Sequence, residues 1–196
     1  FFRHQSSMLL LEEVVLPAAL EQEQSFHVWS VGCATGEEVY SLAMLLDACY
    51  TRQLGDRYFG VTGTDISLSS LQHARAGIYR NRRIHDIPSV FRHQYCQRVT
   101  NNRFKIKDKL RRRVCFSQLN MRDVGTAPFV DLNVIYCQNL LIYYEREQRV
   151  KIVNKLAESL CPGGVLILGP GELPGWKHQD MEKMRYENTL AYRRAD

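Results

Sequence analysis

The sequence predicts an α/β fold built around a mostly parallel sheet. Short apolar runs rich in β-branched and aromatic residues occur at positions 26–32, 58–65 and 130–139, and this composition is typical of buried strands. Helical patterns lie between these runs. A turn containing two glycines directly follows the first run, as expected where a strand leads into a helix beside a ligand site.

The first half of the chain predicts the elements in this order. Residues 8–20 form a helix that Pro17 ends or interrupts. The run FHVWSVG is the first strand, and the apolar stripe that starts at Glu37 predicts an amphipathic helix. The run YFGVTGTD is the second strand, and residues 67–79 form a helix capped by a serine.

The second half predicts two short strands within residues 102–120 and a third strong strand at 130–139. A helix begins near position 145 and is stopped by Pro162 and the two glycines that follow. The run VLILG at 165–169 is a fourth strand, and residues 187–194 are a last one. Because ligands bind beyond the carboxyl ends of parallel strands, the residues just after these strands are the candidates for chemistry.

Composition narrows the class of protein. With 196 residues the chain can bury one full core, and it contains no run of 18 apolar residues and no signal-peptide pattern. Its six cysteines form no CxxC pair, which predicts free thiols in a reducing compartment and no metal site.

Positive charge is concentrated in one segment of the chain. The segment from His73 to Arg113, called the basic segment below, holds 13 of the 26 Lys and Arg residues but only two of the 21 acids. This asymmetry fits either an anionic partner or a solvated face.

The turn SVGCATGEE at positions 30–38 decides which nucleotide the fold suits. It lacks the third glycine of a dinucleotide fingerprint and the Lys-Ser/Thr of a P-loop. Glu37 and Glu38 would repel a pyrophosphate, whereas they would attract S-adenosylmethionine, which carries a sulfonium and an ammonium but no phosphate. Asp65, after the next strand, is placed to bind ribose hydroxyls. Alternatively, acids at this position simply suit a helix N-terminus.

Four motifs in this order resemble the CheR family: VWSVGCATGEEVYSLAMLL, VTGTDIS, ARAGIY and NLLIYY. These proteins are methyltransferases of chemosensory systems that use S-adenosylmethionine to esterify glutamate side chains on receptors. The resemblance implies a Rossmann-like class I S-adenosylmethionine-dependent methyltransferase, with residues 1–196 as the catalytic domain and a small inserted β-subdomain at about 80–117. It also implies that an N-terminal helical domain lies outside this sequence, and that FFR is the end of the stretch joining that domain to the catalytic one.

The same resemblance implies a set of site residues. Arg3 and Tyr143 would be the catalytic residues, with Arg3 beside both the cofactor and the incoming glutamate. The cofactor-binding residues would be Arg3, Gly32, Glu38, Asp65, Asn120, Met121, Gln138 and Asn139. Glu38 would contact the methionine part of the cofactor, Asp65 the ribose, and Asn120 with Met121 the adenine.

The sequence departs from the family pattern at two places. Gln138 stands where the family usually has an arginine, so a cation is lost. The family's GHSE reads GPGE at 169–172.

The predicted chemistry needs no general base, because a glutamate carboxylate is already ionised at neutral pH.

From the resemblance we expect a cytoplasmic enzyme whose partner is the cytoplasmic domain of a methyl-accepting receptor, with no nucleic acid bound and no membrane insertion. Two alternatives stay open. The basic segment could indicate a nucleic-acid base methyltransferase, although NLLIYY lacks the prolines of that class, and Gln138 could indicate a cofactor-binding domain without catalysis.

Overall fold

The computed structural model describes residues 1–20, 25–53 and 58–195 and confirms the predicted α/β class. Within these ranges the chain forms ten strands: β1 (Phe26–Val31), β2 (Phe59–Asp65), β3 (Ile78–Arg80), β4 (Cys96–Thr100), β5 (Arg103–Ile106), β6 (Val114–Gln118), β7 (Leu132–Cys137), β8 (Leu160–Leu168), β9 (Met181–Tyr186) and β10 (Thr189–Arg194). The α-helices are α1 (Gln5–Leu10), α2 (Leu16–Leu20), α3 (Glu37–Gln53), α4 (Leu68–Ala76), α5 (Ser89–Tyr95), α6 (Asp108–Arg111) and α7 (Arg146–Glu158). None of the helices in this part of the chain combines the length and apolarity needed to cross a membrane.

Seven strands form one large sheet in the order β6-β2-β1-β7-β8-β10-β9. The first five run parallel, and β10 is antiparallel to both of its neighbours. Since α3 connects β1 to β2 and α7 connects β7 to β8, the chain returns each time to start the next strand at the same end. The carboxyl ends of β1, β2 and β7 therefore meet at one edge of the sheet, where α/β proteins bind ligands.

The central strands of the large sheet are buried on both faces, as the continuous apolar runs predict. Successive residues of a strand point to opposite faces, so each strand contributes to two cores. Val28 of β1 and Val134 of β7 pack in one buried cluster. The following residues, Trp29 and Ile135, pack in the other.

Three helix boundaries differ from the sequence prediction for identifiable reasons. The N-terminal helical segment runs from α1 through a wider π-helical turn, Leu11–Val15, into α2. Pro17 lies just after this turn, and a wider turn makes room for a ring that lacks an N–H donor. The helix predicted at 67–79 ends at Ala76, because Gly77 takes a left-handed conformation (φ 62°) just before β3 begins. The helix α7 ends at Glu158, before Pro162, and the glycines lie inside β8.

The strand β9 was not predicted, because only Met181 of its residues is buried and its sequence, MEKMRY, reads as polar. It pairs with β10 along its whole length as the outer strand of the sheet. An edge strand needs one buried face at most, so few of its residues have to be apolar and its sequence gives little indication of a strand.

The basic segment forms a separate antiparallel sheet in the order β3-β5-β4, flanked by α5 and α6. The second short strand predicted within residues 102–120 is β6, and it does not join this small sheet. It pairs with β2 of the large sheet, where Phe116 is buried against the core. The small sheet is thus an insertion between α4 and the edge strand of the large sheet.

The packing of α3 on β2 depends on Gly63, and this generates a first prediction. A Cβ at Gly63 would lie 2.6 Å from Val39 Cγ2 and 2.9 Å from Cys33 Sγ. We expect Gly63→Ala to lower the free energy of unfolding by about 1–3 kcal/mol, because the helix and the turn before it must move away from the sheet.

Gly60→Ala, in the same strand, is the matched control. Its added Cβ would meet the Tyr58 side chain at 3.3 Å and His27 Nδ1 at 3.7 Å, and the exposed Tyr58 side chain can rotate away. Urea unfolding of both variants checks the prediction, and equal stability of the two would contradict it.

Candidate functional site

A cavity of about 830 Å³ opens at the carboxyl ends of the central strands. Four parts of the chain line it: the N-terminal segment 1–8, the turn after β1, the turn after β7, and the 3₁₀ turn Asn81–Asp86 that follows β3. Six of the predicted site residues lie on its wall, namely Arg3, Gly32, Glu38, Gln138, Asn139 and Tyr143. The parallel topology brings these side chains together although they are far apart in sequence.

The turn after β1 is fixed to the end of β2 by backbone hydrogen bonds. The N–H groups of Gly32 and Cys33 both donate to the Thr64 carbonyl, at 2.8 and 2.9 Å. Ala34 then takes a left-handed conformation (φ 46°) and donates its N–H to Asp65 Oδ2 at 2.8 Å. The turn is therefore held in one shape, with its backbone exposed to the cavity.

The two glycines of this turn have different structural roles. Gly32 lines the cavity in a left-handed conformation (φ 72°), as the sequence suggested. Gly36 (φ 88°) does not line the cavity. A Cβ at Gly36 would lie 2.7 Å from the Ala74 Cβ, so the residue permits close packing of the turn against α4.

Glu38 is the acid at the floor of the cavity. It lies in the first turn of α3 and accepts a hydrogen bond from Ser30 Oγ at 2.8 Å. Burial raises the pKa of Glu38 to about 8, against the opposing effects of the Ser30 hydrogen bond and of the Arg3 guanidinium. A carboxyl group in this condition gains from a cation that binds beside it, because the cation offsets the cost of ionising it.

The N-terminal segment crosses the site as a strap that places Arg3. The Phe1 ring packs edge-on against Tyr79 of the small sheet, with 5.0 Å between ring centroids. The Phe2 ring stacks on Phe91 of α5 at 5.6 Å, and its N–H donates to Ser41 Oγ at 3.0 Å. These contacts fix the backbone on both sides of the cavity, and Arg3 extends from it as an exposed cation.

Gln138 lies in a buried polar network beneath the strap. Its side-chain amide donates to Ser7 Oγ at 3.3 Å and to the Leu168 carbonyl at 3.4 Å. The Ser7 hydroxyl is also hydrogen-bonded to Tyr136. Gln138 is only 5% exposed, yet its Oε1 lacks a partner among the described residues. An unpaired buried acceptor on a cavity wall calls for a donor from a ligand.

Asn139 and Tyr143 line the side of the cavity formed by the turn after β7. Asn139 takes a left-handed conformation (φ 59°), and its Nδ2 lies 2.8 Å from His4 Nε2, so it ties this turn to the strap. Tyr143 is 78% exposed and stands at the mouth of the cavity. It is therefore positioned to meet an incoming group and not to support the core.

Three predicted cofactor residues lie beside the cavity and not on its wall. Asp65 is connected to the cavity through Ala34, whose N–H donates to Asp65 Oδ2. The other carboxylate oxygen, Oδ1, accepts the Ser67 N–H at 2.9 Å. Asn120 caps the 3₁₀ turn Met121–Thr126 by accepting the Arg122 N–H at 3.0 Å. The Met121 side chain is buried in one of the two cores.

Glu172 is a buried acid that the sequence analysis did not assign. It is 3% exposed, and its two oxygens accept the N–H groups of Leu141 and Gly169, both at 2.8 Å. It thereby joins the turn after β7 to the turn after β8. Gly169 has to be glycine here, because an added Cβ would lie 2.4 Å from the Glu172 carboxylate. The sequence signal that could have identified Glu172 is the glutamate that GPGE shares with the family's GHSE.

The small sheet also contributes to the wall, which the sequence analysis missed. Arg83, His85 and Asp86, all from the 3₁₀ turn after β3, line the cavity. No local pattern marks them, because only the tertiary fold brings this turn to the end of the large sheet.

One thiol lines the cavity. Cys33 is 4% exposed, and burial, together with the nearby carboxylates of Asp65 and Glu38, raises the pKa of its thiol to about 12.

Comparison with known proteins places these features in a family. Residues 1–190 match the family described as CheR methyltransferase, SAM binding domain. The chain is 33% identical over 195 residues to a chemotaxis protein methyltransferase of Vibrio parahaemolyticus, covering 98% of this chain and 70% of that protein. It is 30% identical over 177 residues to a chemotaxis protein methyltransferase of Borreliella burgdorferi, covering 88% of this chain and 62% of that protein. It therefore spans only part of the length of these relatives.

A solved structure supports the fold alone. The crystal structure of magnesium protoporphyrin IX methyltransferase from Synechocystis PCC 6803 with bound SAM aligns with a TM-score of 0.53 and 15% identity, over 97% of this chain and 81% of that one.

The raised pKa of Glu38 generates a second prediction. At pH 7 this carboxyl is mostly protonated, so binding of a cationic ligand beside it should release a proton. We expect the affinity for S-adenosylhomocysteine, which keeps the ammonium, to rise by up to about tenfold for each pH unit from pH 6 toward pH 8. The measurement is titration calorimetry in phosphate and in Tris, whose ionisation enthalpies differ.

The variant Glu38→Gln is the control, because its buffer dependence reports only the protons that the ligand and the other residues release or take up on binding. If the wild-type chain and this variant showed the same buffer dependence, Glu38 would not be the acid that the ligand ionises.

Proposed function

Because the chain belongs to the CheR methyltransferase, SAM-binding domain family, we propose that it transfers a methyl group from S-adenosylmethionine to glutamate side chains of a chemosensory receptor. The partner is the cytoplasmic domain of a methyl-accepting receptor, and the reaction takes place in the cytoplasm. The similarity to chemotaxis protein methyltransferases supports a role in chemotaxis. The choice of glutamate rests on the arrangement of charges in the cavity.

The residues on the floor of the cavity fit the cofactor. Glu38 offers a carboxyl that a positive ligand would ionise, and Gln138 offers an unpaired buried oxygen to an ammonium donor. Gly32 lines the cavity in a left-handed conformation that packs it against Leu140, and Asp65 is the acid beside the turn for ribose hydroxyls. When bound, S-adenosylmethionine supplies a methyl group that its sulfonium has already activated.

The residues at the mouth of the cavity fit a carboxylate substrate. Arg3 provides a guanidinium that can hold a carboxylate with two parallel hydrogen bonds, and Tyr143 can donate one more to fix its angle. Since the carboxylate is already ionised, these residues have only to orient it and strip part of its water. The thiol of Cys33, whose pKa is about 12, is no candidate for a nucleophile.

The observation that carries the proposal is this separation of charge within one cavity. The half-buried acid Glu38 and the buried amide oxygen of Gln138 lie at the floor, while the exposed cation Arg3 lies at the strap above them. Such a site accepts a cationic methyl donor below and an anionic acceptor above.

Mass spectrometry of a receptor cytoplasmic fragment tests the proposal and gives a third prediction. Incubation with the chain and S-adenosylmethionine should add about 14 Da, the mass of a CH₂ group, to peptides containing glutamate. Treatment with base should remove this added mass, as expected for an ester. Tyr143→Phe should slow the addition by about tenfold while S-adenosylhomocysteine binding stays near wild type.

An unmodified fragment in the presence of bound cofactor would favour the non-catalytic alternative. Equal loss of binding and of rate in Tyr143→Phe would make Tyr143 a structural residue.

The basic segment gives a fourth prediction, in which the small sheet serves as a protein-docking surface. Arg111 and Arg113 are not suitable sites for a charge reversal, because Arg111 pairs with Asp108 at 2.7 Å and Arg113 lies 4.9 Å over the Phe59 ring. Arg98 and Arg103 are exposed on β4 and β5. We expect Arg98→Glu with Arg103→Glu to reduce receptor methylation severalfold without changing cofactor affinity, since the acidic receptor is no longer steered.

The control replaces two exposed cations of α7, Arg146→Glu with Lys151→Glu, which make the same change in net charge. Steeply salt-dependent binding of the wild-type chain to RNA or DNA, with none to the receptor fragment, would contradict docking and revive the nucleic-acid alternative.

A further inference from the structure

Two guanidinium groups from separate parts of the chain line the same cavity. Arg3 comes from the N-terminal strap and Arg83 from the 3₁₀ turn after β3. We propose that Arg83 is a substrate-binding residue that holds the carboxylate of the substrate side chain together with Arg3. This inference rests on the proposed function and assigns a subsite of it to the small sheet.

The turn that carries Arg83 is held in a fixed position. Arg92 donates to two of its carbonyls, with Nε to the Ile87 oxygen at 2.6 Å and Nη2 to the His85 oxygen at 3.1 Å. Ile87 itself is fully buried, and the Asn81 N–H donates to the Asn102 carbonyl at 2.8 Å. The backbone below Arg83 is therefore anchored on both sides, so only the side chain has to be ordered when it binds a ligand.

The strap and the small sheet are also fixed relative to each other. The contacts of Phe1 with Tyr79 and of Phe2 with Phe91 join the segment that carries Arg3 to the subdomain that carries Arg83. Two cations held by one packed unit can act on one anion, because a carboxylate has two oxygens and about four acceptor sites.

The Arg83 guanidinium is available for a carboxylate. Among the described residues, its side-chain contact is with Asp86, where Nη1 lies 3.5 Å from Oδ2. That pair is weak, because both side chains are exposed and the distance is long. It engages one of the five N–H donors of the guanidinium and shows that an acid is accommodated on this side of the turn.

Exposure decides between the substrate and the cofactor as the source of the carboxylate. S-adenosylmethionine also carries a carboxylate, in its methionine part. Arg83 is 53% exposed at the mouth of the cavity, whereas Gln138, a group that fits the ammonium of that part, is only 5% exposed and Glu38 is half-buried. A side chain of a protein substrate enters from the mouth and meets Arg83 first.

The experiment uses the chain saturated with S-adenosylhomocysteine and the probe N-acetyl-glutamate methylamide, whose only charge is the side-chain carboxylate. N-acetyl-glutamine methylamide is the neutral counterpart. We expect NMR titration to show that Arg83→Gln binds the glutamate probe about tenfold more weakly than wild type. Arg82→Gln is the matched control, since Arg82 is an exposed neighbour on the same turn that does not line the cavity. It should bind the probe like wild type.

Each other outcome has a defined meaning. Equal probe affinity in the two variants, or no preference of the wild-type chain for glutamate over glutamine, would overturn the role of Arg83. A matching loss of S-adenosylhomocysteine affinity in Arg83→Gln would overturn it in favour of the cofactor carboxylate. Failure of the wild-type chain to methylate the receptor fragment would count against the proposed function, whereas the probe titration would still decide the role of Arg83.

Discussion

The site depends on how the turn after β1 is tied to the end of β2. Two N–H groups share the Thr64 carbonyl, and Asp65 accepts a third from Ala34. This arrangement requires parallel neighbouring strands, because only then do their carboxyl ends lie side by side. It directs the chain into α3 at a fixed angle, and Glu38 enters the cavity as a result. Asp65 is therefore as important for the shape of the turn as for any ligand.

The small sheet contributes directly to the candidate site. It packs against the strap through Phe1 and Phe2 and supplies one wall of the cavity from the turn before α5. A receptor that docks on the small sheet, as proposed, would bind next to Arg3 and Tyr143. Under that proposal, receptor binding and methyl transfer would share one packed framework.

Much of this architecture could be predicted from the sequence, because buried strands and amphipathic helices leave local patterns. The strands β1, β2 and β7 were located within two positions, whereas β8 begins at Leu160, five residues before its predicted start. The resemblance to a family extended the prediction to Arg3 and Tyr143. Edge strands such as β9 leave a weak pattern. Glu172 and Arg83 could not be assigned, because their tasks depend on contacts with residues that are distant along the chain or on a wall that only the tertiary fold creates.

The position of Cys33 has a consequence for the chemical integrity of the protein. A thiol on the wall of a site that binds a strong alkylating agent risks being methylated itself. Only the thiolate is a good nucleophile, and with a pKa of about 12 the Cys33 thiolate is a minute fraction of the molecules at neutral pH. Burial, more than the nearby acids, holds this sulfur in its protonated form, so the thiol resists methylation.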